Sequence, residues 1–81
     1  MPKIRRNISG MKLAKLLEQS DYRITRQKGS HIRLTSHYKN EQHNITIPAH
    51  NPIKIGTLNN ILKEIADYIG ISKEEFTKKL F

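Results

Sequence analysis

The sequence contains no cysteine. That excludes a disulfide framework and any thiolate metal site, and it fits a reducing, cytoplasmic setting. Long apolar runs are also missing, so no segment approaches the roughly 20 residues of a membrane-spanning helix. The basic start Met1-Pro2-Lys3-Ile4-Arg5-Arg6 lacks the apolar stretch of a signal peptide. Acidic side chains are few: seven Asp and Glu stand against fifteen Lys and Arg. They are scattered, and none pairs with a histidine at ligand spacing, so no metal and no other cofactor is expected. There is no internal repeat and no low-complexity segment.

What remains is a short, strongly basic chain. Its 81 residues make one small domain with a modest core. The formal net charge of +8 implies a polyanionic partner, with nucleic acid the leading candidate. An anionic membrane surface fits less well. The clearest amphipathic segment, Leu58 to Ile69, mixes Lys63 with Glu64 and Asp67 and has no basic face.

Periodicity divides the chain into a basic tail over 1–7 and a single domain over 8–81. Ser9 is a good N-cap for a first helix, with Ile8 and Leu13 placed as a hydrophobic staple. Leu13, Leu16 and Leu17 form its apolar face, and it should stop near Gln19-Ser20-Asp21. Three strands follow. Tyr22 to Gln27 puts Tyr22 and Ile24 inward, with Arg23, Thr25 and Gln27 outward. A two-residue turn at Lys28-Gly29 leads into Ser30 to Ser36, with Ile32 and Leu34 inward. After a polar loop flanked by solvated His37 and His43, Asn44 to Pro48 turns Ile45 and Ile47 inward. Period-two alternation predicts one covered face and one open face, the latter carrying His31, Arg33, Arg23, Thr25 and Thr46. Gly56-Thr57 then begins the strongest helix, with Leu58, Ile61, Leu62, Ile65, Ala66 and Ile69 on one stripe and Gly70 as its stop. A short third helix starts at Ser72-Lys73-Glu74-Glu75, a capping box with Ile71 and Phe76 as staple. The predicted class is α+β: helix, three-stranded antiparallel sheet, helix, with the helices on one face and a short C-terminal helix.

The residues that carry chemistry gather around Gly29-Ser30-His31. Glycine permits a tight turn. A histidine at the head of a strand, between Lys28 and Arg33, can serve as general base toward an RNA hydroxyl while the cations hold phosphate. Lys12, Lys15, Arg23, Arg26, Lys28, Arg33 and Lys54 are candidate phosphate contacts, with Lys28 and Arg33 foremost because they flank His31. His50, before the second long helix, is open as an acid or a substrate contact. The general acid is not identified by the sequence; a water and His50 both remain available.

The order of these residues resembles HicA-type toxins of bacterial toxin–antitoxin systems. The matching stretches are Ile8-Ser9-Gly10 into Leu13-Ala14-Lys15-Leu16-Leu17, Arg26-Gln27-Lys28-Gly29-Ser30-His31, Ile45-Thr46-Ile47-Pro48 with His50, and Gly56-Thr57-Leu58 followed by Ile61-Leu62-Lys63. The resemblance implies a fold like the double-stranded-RNA-binding domain and a ribosome-independent mRNA endonuclease; the scattered carboxylates make the expected mechanism metal-independent. The resemblance also implies His31 as catalytic histidine and a HicB-type antitoxin as partner, with a free monomer and a hetero-oligomer in complex. With the residue reading above, the residues expected at the RNA are Lys28, Gly29, Ser30, Arg33, Arg26 and His50, the last at a position where family members often have a histidine. Many members carry a second histidine after the catalytic one, where this chain has Ile32. The competing readings are a non-catalytic double-stranded-RNA-binding module, and a small interaction protein whose charge serves an acidic partner.

Overall fold

A computed structural model describes residues 8–38 and 40–81. The tail expected over 1–7, and Lys39 in the polar loop, lie outside the described residues. The elements run α1 (Gly10–Leu17), a 3-10 turn (Glu18–Ser20), β1 (Tyr22–Lys28), β2 (His31–Ser36), β3 (His43–Pro48), α2 (Ile55–Ile69) and α3 (Lys73–Leu80). The sheet is antiparallel with β2 in the centre. This is the α-β-β-β-α arrangement of the double-stranded-RNA-binding-domain type, extended by α3. Among the described residues, no helix is long and apolar enough to cross a membrane.

Local signals set most boundaries. The Ser9 side chain accepts from the Lys12 amide at 3.1 Å, capping α1. Leu13, Ala14 and Leu17 then turn one face of α1 onto the sheet and are fully buried. Asp21, in the left-handed region (φ 66°), ends the 3-10 turn and starts β1. At the other end of α2, Gly70 adopts φ 93° and its amide donates to the Ala66 carbonyl at 2.8 Å. Ser72 caps α3 by accepting from the Glu75 amide, and Phe76 and Leu80 close the core beneath α2. The helix α2 begins at Ile55, one residue before the expected Gly56, and Lys54 at its N-cap supplies no side-chain cap.

One core holds the layers together. Ile32, Leu34, Ile45 and Ile47 from the sheet meet Leu13, Leu17, Leu58, Leu62 and Ile65 from the helices, and all are buried. The closest approach is at Gly10. A Cβ there would stand 2.0 Å from the Pro48 carbonyl oxygen, so only glycine lets α1 lie on the end of β3. The Gly10 amide donates to the His50 carbonyl and the Ile53 amide to the Ile8 carbonyl, both at 2.9 Å. These bonds fasten the 49–54 loop to the start of α1.

His43 departs from expectation. It is not solvated: Tyr22 Oη lies 2.7 Å from its Nδ1, and Glu64 Oε2 lies 3.1 Å from its Nε2. Its ring stacks on Tyr68 at 4.6 Å between centroids. Burial, with Tyr68 and Glu64 nearby, pushes the Tyr22 hydroxyl well above its ordinary pKa. Tyr22 therefore stays a donor, and the neutral tautomer with Nε2–H toward Glu64 satisfies both ring nitrogens. The cluster pins the starts of β1 and β3 to α2, at the end of the sheet away from His31. His37 is exposed, as expected.

Candidate functional site

The face of the sheet opposite the helices is polar, and a β-bulge decides which cations it carries. Simple alternation from Tyr22 turns Thr25 and Gln27 outward. In the structure the β1–β2 register slips between Ile24 and Arg26: Ile24 pairs with Leu34, but Arg26 pairs with Arg33. Thr25 is the extra residue. One inserted residue reverses the facing of everything after it. Arg26 and Lys28 consequently join the open face, and Gln27, paired with Ile32, turns to the other side. Arg26 and Lys28 thus stand across from Arg33 and His31.

The turn is also one residue later than expected. Lys28 pairs with His31, and Gly29-Ser30 makes the turn rather than Lys28-Gly29. Gly29 has φ 58° and Ser30 does not share the left-handed region, which is the pattern of a II′ hairpin with glycine first. The Ser30 carbonyl accepts from the Ala49 amide at 2.7 Å, anchoring the turn to the loop after β3.

The open face is therefore a set of cross-strand rows. Lys28, His31 and Pro48 form the first, and Arg26, Arg33 and Thr46 the second. Arg26, Lys28, His31, Arg33 and Thr46 line a shallow depression of about 430 Å³. All five are exposed. Among the described residues the only ion pair is His43 with Glu64, in the other cluster. The three cations beside His31 thus have no acidic partner among the described residues, and none of their carboxylates hydrogen-bonds His31. Two arginines directly opposite each other cost stability unless an anion lies between them.

The structure brings Arg26, Lys28, His31 and Arg33 together. Gly29 and Ser30 lie in the adjoining turn, exposed, with open space where a Gly29 side chain would be. His50 is exposed in the loop tied to that turn, but it does not line the depression. Lys12 and Lys15 lie on α1 and Lys54 at the start of α2, away from the depression. A third row, Arg23, Thr35 and Asn44, is spread over 22 positions of the sequence from Arg23 to Asn44 and has no local signature. Within it Thr35 donates to Asn44, and Thr35 is bonded from β1 by the bulge residue Thr25, which only the register makes visible. No three His, Asp or Glu among the described residues gather closely enough to hold a metal ion.

Comparison with known proteins bears on this arrangement. No curated protein and no solved structure matches the chain. A family model described as the HicA toxin of bacterial toxin–antitoxin systems matches residues 10–66. The match starts at Gly10, whose missing side chain admits α1 to the sheet, and ends at Ala66, on the buried stripe of α2. It takes in the whole sheet, the Gly29-Ser30 turn and every residue of the basic depression; the last turn of α2 and all of α3 lie beyond it. A match over that much of the domain makes the chain a member of the HicA toxin family, the toxin half of a toxin–antitoxin pair.

Proposed function

We propose that the chain is a metal-independent endoribonuclease that cleaves mRNA, with His31 as general base. The observation that carries this reading is the unpaired cationic depression around one exposed histidine. Lys28, Arg26 and Arg33 surround His31 and have no acidic partner among the described residues, which suits a phosphate. His31 takes the proton from a ribose 2′-hydroxyl. The 2′-oxygen then attacks the adjacent phosphorus, and the bond from phosphorus to the 5′-oxygen breaks. The products are a 2′,3′-cyclic phosphate and a 5′-hydroxyl, the latter after the leaving oxygen gains a proton from water or a second acid. The cations hold the phosphate in line and offset the charge that builds on its oxygens in the transition state. His50, on the loop whose Ala49 amide bonds the turn, is the candidate for that acid, with water as the alternative.

In this reading mRNA in the bacterial cytoplasm is the substrate, and a HicB-type antitoxin holds the toxin inactive. An inhibitor of this surface would bring acidic or shape-matched groups, and the net charge of +8 would speed its arrival. The fold type also favours a non-catalytic double-stranded-RNA-binding module. His31 separates the two readings, because a pure binder has no use for a base there. Induced expression in a bacterial host tests them. Wild type should arrest growth and shorten mRNA half-lives on an RNA blot, and His31→Ala should do neither. Equal mRNA decay with both proteins would overturn the catalytic assignment.

A further inference from the structure

Beyond the two rows at His31, and beside Arg23, the open face carries a hydrogen-bonded set of neutral side chains, Thr25, Thr35, Asn44 and Gln42, with no part in the chemistry above. Thr35 Oγ1 donates to Asn44 Oδ1 at 2.8 Å. That uses the only hydrogen on Thr35, so the Thr25 hydroxyl, 3.1 Å away, is the donor to Thr35. Gln42 Nε2 donates to the same Asn44 Oδ1 at 3.2 Å. With two donors on its oxygen, the Asn44 amide is fixed in one orientation and directs its Nδ2 hydrogens away from the row. Thr35 at the base is only 8% exposed, whereas Asn44 and Gln42 are open to solvent. Neither Asn44 Nδ2 nor Gln42 Oε1 has a partner within the described residues.

We infer that this row is a base-reading subsite, in which Asn44 Nδ2 donates to an edge of an RNA base about two nucleotides from the phosphate at His31. The inference rests on the reading of this face as the RNA-cleaving surface. Spacing supports it. Thr35 stands four residues from His31 on the same face of β2, about 13 Å along the strand, which is a span of about two nucleotides of extended single-stranded RNA. The Arg26–Arg33 row lies between and would hold the intervening phosphate.

Chemistry supports it as well. Phosphate contacts position a nucleic acid, and base-edge contacts specify it. Arg23, at the β1 end of this row, can hold a further phosphate; at position 44 another cation would do the same, and a carboxylate would repel the strand. A neutral amide does neither, and an amide already locked by Thr35 and Gln42 loses little freedom when a base arrives. Gln42 Oε1, beside it, offers the complementary acceptor.

The test uses the full chain and reads binding and cleavage separately. Binding is measured by fluorescence anisotropy with 2′-O-methyl homopolymers of adenine, cytosine and uracil, which cannot be cut by the 2′-hydroxyl route. Wild type should prefer one of them by at least about fivefold, the low end for one good base-edge contact. Asn44→Ala should bring all three within about twofold. Asn44→Asp keeps the oxygen that accepts from Thr35 and Gln42 but replaces the outward donor by an acceptor. It should weaken binding to all three and alter their ranking. Thermal melts check that both variants fold. Equal affinity of wild type for all three homopolymers, or a wild-type ranking and ratio preserved in Asn44→Ala, would overturn the subsite. Cleavage of a mixed-sequence RNA, with the cut sites mapped, separates the two claims. Cutting without a base preference sinks the subsite alone, and a base preference in binding without any cutting sinks the nuclease reading alone.

Discussion

Removing one of the two facing arginines should make the protein more stable and a poorer RNA binder at once. Arg26 and Arg33 are cross-strand partners on the open face, and no carboxylate among the described residues neutralises either. Two exposed unit charges some 6 Å apart repel by roughly 0.7 kcal/mol in water, and physiological salt cuts this to about 0.4 kcal/mol. Arg26→Gln keeps most of the side-chain length and abolishes the repulsion. For a domain of this size, about 0.4 kcal/mol corresponds to a rise in Tm of roughly 2–3 °C. The gain should shrink as salt is raised. Binding should move the other way. Losing one phosphate contact weakens affinity across all sequences and lowers the slope of log affinity against log salt by about one unit. Calorimetry in low and high salt, together with anisotropy titrations over the same range, reads both effects. An unchanged salt slope would remove Arg26 from the RNA surface. A lower Tm at low salt would refute the argument that the facing arginines are kept at a cost to the fold.

Gly10→Ala should destabilise the domain by about 3 kcal/mol, because a Cβ at 2.0 Å from the Pro48 carbonyl must push α1 off the sheet; a Tm within a few degrees of wild type would contradict the close approach. Tyr22→Phe should cost about 1 kcal/mol at neutral pH by leaving His43 Nδ1 without its donor. It should also flatten the alkaline limb of stability. Folding raises the Tyr22 pKa above its ordinary value of 10.0, so the unfolded chain loses that proton first, and wild-type stability declines from about pH 10 upward. Denaturant titrations at pH 9 and pH 11 compare the two proteins, and an identical pH slope would refute the assignment. Binding of the antitoxin should slow hydrogen exchange at the amides of 28–33, around the Gly29-Ser30 turn; protection confined to another surface would mean that inhibition does not act by covering His31.

The parts of the fold that rest on local pattern were legible in the sequence. Ser9 and Ser72 announce their helices by capping chemistry. Ile32 with Leu34 and Ile45 with Ile47 fix which face of the sheet is covered. The features that shape the site depend on partners distant in sequence. The bulge at Thr25 is silent because Thr25 to Lys28 are all polar, and a register slip among polar residues moves no hydrophobic side chain. Only pairing with β2 shows that Arg26 and Lys28 change face. His43 looks like a loop residue because its ring partners, Tyr22 and Glu64, each lie 21 positions away. Gly10 reads as an ordinary helix start until Pro48 lies against it. Local sequence does not choose between Lys28-Gly29 and Gly29-Ser30 for the turn, since a glycine preceded by lysine fits either two-residue frame and only the pairing of Lys28 with His31 decides it. The HicA-like order of short motifs stood out despite these gaps because it depends on which residues recur, not on how their strands register.

The most direct test of the central claim is cleavage of purified RNA by wild type and His31→Ala, in excess chelator, with the new ends identified. Wild type should cut, and the products should carry 2′,3′-cyclic phosphates and 5′-hydroxyls. His31→Ala should fold, as judged by circular dichroism, and leave the RNA intact. An otherwise identical RNA with a 2′-deoxynucleotide at the cut position should resist both proteins. Cleavage by His31→Ala at the wild-type rate, or loss of wild-type cleavage in chelator with recovery on added magnesium, would contradict the account.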